Sequence, residues 1–392
     1  RESPRVELAL TADGYPTIDG HAGRAAIDVA GDRHGARAKA ALGSDAGEGV
    51  HVEASLPLPD KIGLLNLPEA TAKLTAEGVE LASVLPAALV ARQGVTVGGK
   101  LDAELDARLG VKPTLHGVGL KADVRGGARV ANGRVAFAGS RAFDGIDLAL
   151  DTDDGEIRIK RLHLQDADPS RRDRTLDVTG RLAWEDLAFQ SADVRVAAHD
   201  FRLSAADRAA ALTADVAIHA DLDAPLKTVT ATVKQLALRL PDRIDRTRRA
   251  PGASSASAAA DAGRGWAVHV RLADRARVEQ AAFDLAAEGG VDIAFRPSGH
   301  RVRGKLTMVS GAFTLGPRRH ALERGSVTFD DAHPDGFLDL HFGGRPLRVD
   351  VVGPFGAQKV TVRGPNDAVL FERVAGAGPS DDHGHETAAA TR

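Results

Sequence analysis

The 392-residue chain has no cysteine, one methionine, 2 Trp, 1 Tyr and 12 Phe. Without cysteine there are no disulfides, thiolate metal sites or cysteine nucleophiles. Large apolar side chains are scarce, because 70 residues are alanine. A thick globular core is therefore not expected, whereas a thin or elongated one is. Neither sign of charge dominates: 51 Lys and Arg stand against 54 Asp and Glu, a net charge of −3. That balance excludes phosphate-backbone binding as the main business, so no nucleic-acid partner is expected. The longest apolar candidate, Leu81 to Val90, is far shorter than the roughly 18 residues of a membrane helix and is broken by Pro86. The chain starts at Arg1 and reads as a segment of a longer one, with any membrane anchor expected in the missing N-terminal part.

What is present is alternation with period two. Leu101, Leu105 and Leu109 alternate with Asp102, Glu104, Asp106 and Arg108. Val216 and Ile218 do so against Asp215 and His219, and Trp266, Val268, Val270 and Leu272 against His269 and Arg271. Leu338, Leu340 and Phe342 face away from Asp339 and His341; Leu347, Val349 and Val351 face away from Arg348 and Asp350. Each run has one dry and one wet face, the mark of half-buried strands in antiparallel sheets. The fold class is all-β. Turn signals punctuate the runs at Asp153-Asp154-Gly155, Asn132-Gly133, Gly289-Gly290, Pro297-Ser298-Gly299, Asp335-Gly336 and Gly343-Gly344. The phase slips between Ile159 and Leu162 and between Val233 and Leu236, which predicts bulges or short turns there.

Residues 68–92 break the pattern: Leu81, Val84, Leu85, Ala88 and Leu89 have helical spacing, predicting one or two short helices that cap a sheet or lie on its surface. Residues 246–265 are low-complexity Arg, Ala, Ser and Gly and read as a flexible linker; 376–392 read as a disordered tail. The domains are then 1–245, a β-rich repeat region, and 266–375, a C-terminal β domain. Three stretches, from Gly99, Leu212 and Gly289, share a strand, a turn with proline and a second strand. A hairpin of this kind cannot bury its apolar face alone; units stacked side by side build one long sheet that must curl to shelter it.

Chemistry-bearing motifs are weak. There is no Gly-x-Ser-x-Gly, phosphate loop, dinucleotide fingerprint or His-Glu-x-x-His, so no enzyme and no cofactor is expected. His383 and His385 beside Asp381 and Asp382 lack a preformed geometry for a metal, and the acidic run from Asp151 to Glu156 reads as a hairpin turn rather than a calcium loop. Two basic clusters, Arg171-Arg172-Asp173-Arg174 and Arg246, Arg248 and Arg249, are solvated loops or contacts for anionic headgroups.

The stretch from Val302 carries Gly311-Ala312-Phe313, Gly316, Arg324-Gly325-Ser326-Val327-Thr328-Phe329 and Pro334. In this order it resembles the C-terminal domain of the TamB family, within the AsmA-like group. The resemblance is specific over residues 265–371 and compositional over 1–245. It implies a curled sheet, a β-taco, with an apolar inner face, bridging the periplasm of diderm bacteria and anchored in the inner membrane. Its implied role is to carry phospholipids toward the outer membrane; the alternative is a scaffold that assists outer-membrane protein assembly with a β-barrel partner. A secreted adhesin is disfavoured by the scarcity of Trp and Tyr. The residues expected to line the groove are Leu306, Met308, Phe313, Leu315, Val327, Phe329, Leu338, Leu340, Phe342, Leu347, Val349 and Val351. Lys305, Thr307, Thr328, Asp339, His341, Arg348 and Asp350 are then expected to point outward, though an alternating apolar row is also what a closed core presents.

Overall fold

The structure, a computed structural model, describes residues 5–44, 49–58, 69–88, 95–114, 117–137, 142–153, 155–185, 188–202, 210–240, 265–296, 299–344 and 346–374. The strands are β1 (Val6–Pro16), β2 (Ala22–Asp32), β3 (Gly35–Ser44), β4 (Gly49–Pro57), β5 (Ala70–Glu80), β6 (Val95–Thr114) and β7 (Gly117–Phe137). They continue as β8 (Ala142–Asp153), β9 (Glu156–Asp166), β10 (Thr175–Glu185), β11 (Ala188–Arg202), β12 (Ala211–Asp221), β13 (Leu226–Arg239) and β14 (Gly265–Gln280). The last seven are β15 (Phe283–Arg296), β16 (Gly299–Leu315), β17 (Arg318–Phe329), β18 (Phe337–Gly343), β19 (Arg348–Pro354), β20 (Lys359–Arg363) and β21 (Val369–Val374).

Each strand pairs with the next in sequence, so the 21 strands form one meandering sheet. Every neighbour is antiparallel except β13 and β14, which run parallel. Among the described residues β1 and β21 do not pair, and the sheet is curled but open rather than a closed barrel. The three proline-bearing units are hairpins, β6–β7, β12–β13 and β15–β16.

Bulges supply the curl. Both predicted phase slips occur: Lys160–Arg161 disturb the register of β9, and Lys234–Gln235 that of β13. Further shifts fall in β14 between Leu272 and Ala276, in β16 beside Val309 and in β17 at Glu323. A bulge bends its strand and increases its twist. Bulges at a similar level on successive strands crease the sheet. Two rings three strands apart, Phe143 on β8 and Phe201 on β11, consequently stack with centroids 5.4 Å apart. Two of the predicted turns are also interior features. Asn132-Gly133 lies within β7 at a register shift, with Asn132 at φ 52°, and Gly289-Gly290 lies within β15.

Of the span 68–92 the structure describes residues 69–88, where β5 takes Ala70–Glu80 and helix takes Leu81–Val84 and again Ala87 and Ala88. Alternation of Ala70, Ala72, Leu74 and Ala76 with Thr71, Lys73 and Thr75 makes β5, and α1 is confined to Leu81–Val84. This single turn caps one end of the sheet. Val79 and Val84 are 1% exposed and pack with Val50, Leu85, Leu101 and Ala103. Tyr15 Oη donates to the Val84 carbonyl at 2.9 Å, tying the β1–β2 turn across to α1. The expected linker lies outside the described residues except for Gly265, which opens β14, and the expected tail 376–392 lies outside them entirely.

Candidate functional site

Residues opposite one another on adjacent strands share a face, so register alone traces what that face presents. From β1 to β7 one row runs Ala12, Ala25, Leu42, Val50, Ala76, Ala103 and Ala128. It continues over β8 to β13 as Leu150, Ile159, Gly180, Val194, Ile218 and Ala231. It ends over β14 to β17 as Val270, Val291, Gly304 and Phe329. No polar side chain interrupts it. A second row, from Val79 and Leu101 through Val130, Leu148, Leu162, Val178, Val196, Val216, Val233 and Leu272 to Leu306, Val327 and Leu338, is equally apolar.

The opposite face carries charge in cross-strand pairs. Lys39 reaches Glu53 at 2.8 Å, Arg271 reaches Asp292 at 2.7 Å, and Arg277 donates twice to Asp284 at 2.9 and 2.8 Å. The hydrogen bonds from Arg277 hold the Asp284 carboxyl below the usual carboxylate range. Arg303 and Arg301 both donate to Asp331, which lowers its pKa to about 2. His341 bridges Asp350 at 2.6 Å and Asp339 at 2.7 Å. A concavity of about 760 Å³ on this face, lined by Arg37, Lys39, Glu53, Lys73, Arg108 and Arg125 among others, is polar and internally paired at Lys39–Glu53. Such pairs, exposed to water, add little stability but keep this face wet.

The twelve expected groove residues divide. Met308, Phe313, Leu338, Leu340, Phe342, Leu347, Val349 and Val351 join one cluster with Leu285 and Val362. Phe313 and Phe342 meet with ring centroids 5.6 Å apart. Leu306 and Val327 lie in the second row, and Phe329 ends the first, stacked on Phe355. Leu315 is 38% exposed at the end of β16, opposite Arg318. The cross-strand partners of Lys305, Thr307, Thr328, Asp339, His341 and Asp350 place them on the charged face, as does the Arg348–Arg363 pairing for Arg348.

Sequence reasoning missed Leu322, Phe283, Val360 and His320. Val360 and Val362 alternate in plain view in β20. Leu322 is brought to the apolar face by the bulge at Glu323, which parity counting cannot foresee. His320 stands opposite Phe313, is 2% exposed, and neither of its ring nitrogens has a hydrogen-bond partner.

Among the described residues, no helix is long and apolar enough to cross a membrane, and no group of three His, Asp or Glu side chains is arranged to hold a metal ion. A search of curated proteins finds no match. The family model of the TamB C-terminal domain matches residues 163–363, from β9 through β20. With half of its length so matched, the chain belongs to the TamB family.

Proposed function

We propose that this chain conducts phospholipid acyl chains along its apolar face, as a segment of a periplasmic bridge between the inner and outer membranes, and performs no catalysis. Membership of the family carries a periplasmic, outer-membrane-related role. The observation that carries the finer reading is the apolar row unbroken from Ala12 on β1 to Phe329 on β17. Seventeen strands about 4.8 Å apart extend that row over about 77 Å. Each methylene kept from water is worth about 0.8 kcal/mol, so a bare acyl chain needs such a surface at every point of its path. Alanine and glycine in the row leave room, and the absence of hydrogen-bonding groups suits a ligand that slides rather than docks. The test is transfer of fluorescent phospholipid between vesicles by the purified chain, with extraction and quantitation of lipid bound to it. Bound lipid and accelerated transfer support the reading; a chain that neither binds nor transfers lipid overturns it.

A second reading, scaffolding of outer-membrane β-barrel proteins, draws on β21. All six of its residues are exposed, and among the described residues it pairs on one side only. A free edge accepts an added strand. Crosslinks from β21 to an unfolded barrel protein, competed by a β20–β21 peptide, favour this reading over the first.

A further inference from the structure

The apolar face is not uniform along its length. Over β15–β20 six large side chains, Leu285, Val327, Leu340, Phe342, Val349 and Val362, are each less than a tenth exposed, with the half-buried Met308, Phe313 and Leu338 packed against them. Over β7–β14 the one large apolar side chain so enclosed among the described residues is Val233. Leu148, Leu162, Val178, Val196 and Val216, in the same row, stay half-buried.

The geometry points to an acyl-chain site on the inner face of β7–β14 that stops at a plug formed by β15–β20. This rests on the lipid reading above and says where along the face a lipid resides. Over β16–β18 the face is occupied by Phe313 and Phe342, 5.6 Å apart, in one cluster with Leu340 and Val349. A chain can enter there only by displacing them. Among the described residues the row over β7–β14, Val233 apart, is half-buried rather than enclosed, with Phe143 and Phe201 stacked on each other. Eight strands about 4.8 Å apart give a lane of about 34 Å. One leaflet of a bilayer is about 15 Å of hydrocarbon, so the lane takes two acyl lengths end to end.

Charge complements an amphiphile. The lane carries no ionisable side chain in either row, whereas the β9–β10 connection at its rim presents Arg171 and Arg172. Arg171 is paired with Asp168 at 3.2 Å, while Arg172 is exposed and has no ion pair among the described residues. A phosphate headgroup brought to this rim would meet a guanidinium that can bind it through a fork of N–H donors.

The chain has no cysteine, so a single introduced thiol is a unique reporter. Val178→Cys, Val216→Cys, Val349→Cys and Leu340→Cys variants of the full chain are delipidated. Each is then treated with a thiol reagent before and after incubation with phosphatidylethanolamine/phosphatidylglycerol vesicles, folding being checked by circular dichroism. The expected result is rapid modification at 178 and 216, slowed tenfold or more by lipid, with 340 and 349 unreactive throughout. Lipid-dependent reactivity at 340 or 349 in a folded variant overturns the plug while leaving transport standing. Unchanged reactivity at 178 and 216 in protein shown by phosphate assay to hold lipid places the site elsewhere and overturns the proposal. Protein that takes up no phospholipid at all overturns the transport reading itself.

Discussion

Phe342 on β18 stands directly opposite Val349 on β19, and the two side chains are 1% and 0% exposed. They are the centre of the cluster that fills the C-terminal end of the apolar face. Truncation there leaves a cavity its neighbours cannot fully close, so Phe342→Ala is expected to cost about 3–5 kcal/mol. Val216→Ala, on a half-buried position of the same face, should cost about 1 kcal/mol or less. Urea unfolding of the two variants checks the contrast.

A charge separates the filled and open parts of the face in a second way. Val349→Asp buries an unpaired carboxylate and is expected to unfold the β15–β20 region. Val178→Asp retains access to water, so the protein should keep its melting transition while losing lipid binding. Thermal melts read alongside bound-lipid assays distinguish the two; equal loss of folding in both contradicts the description of β10 as open.

His320 is a liability where it stands. An imidazole with both nitrogens buried and unpartnered forfeits the hydration it had in the unfolded chain, at about 1–3 kcal/mol. His320→Leu is therefore expected to raise the denaturant midpoint at neutral pH. A lowered midpoint would show that the ring makes a contact worth more than its desolvation.

The charged face titrates in acid. Asp331, held by Arg303 and Arg301, has its pKa depressed to about 2 in the folded chain. A carboxyl depressed on folding contributes stability that is present above its unfolded value, about 3.9, and is lost as pH falls through the folded one. Stability should therefore decline between about pH 4 and pH 2, and less steeply in Asp331→Asn. Because the pair faces water, the difference should shrink in high salt. Unfolding midpoints measured across this range at two ionic strengths provide the check.

Gly126 sits in β7 at φ 128°, where an added Cβ would fall 2.0 Å from the Glu104 carbonyl oxygen. Neither the conformation nor the space admits a side chain. Gly126→Ala should loosen the β6–β7 pairing at a cost of about 1–3 kcal/mol. Hydrogen exchange localised to residues flanking Leu105 is the measurement, and unchanged protection there would refute the packing described.

The strands were legible because alternation states directly which residues share a face. Even the even-numbered Leu306 and Met308 and the odd-numbered Phe313 and Leu315 were assigned to one surface, and the bulge at Val309 is what makes that so. What alternation cannot convey is whether the surface is covered. Phe342 and Val178 occupy equivalent places in their runs, yet one is enclosed and the other half-exposed. The difference comes from neighbours two or more strands away, set by how sharply each strand bends. The same holds for Asn132-Gly133 and Gly289-Gly290: their backbone freedom is local, but whether it becomes a turn, a bulge or a regularly paired stretch of strand depends on the partner strands. The helical spacing takes effect only from Leu81, where α1 begins and after which Ala87 and Ala88 are again helical, since the alternating residues before it are claimed by pairing with β4 and β6.

The parallel pairing of β13 with β14 has a kinetic meaning. Everywhere else a strand turns back antiparallel on the one just before it, so hairpins can form independently and spread along the sheet. At the seam, Arg239 must find Glu279 and Leu226 must find Gly265, and no hairpin turn can bring them together. Thirteen strands on one side and eight on the other can each be complete before the seam joins. Joining the two parts is a closure whose entropic cost grows with the length of the connecting segment.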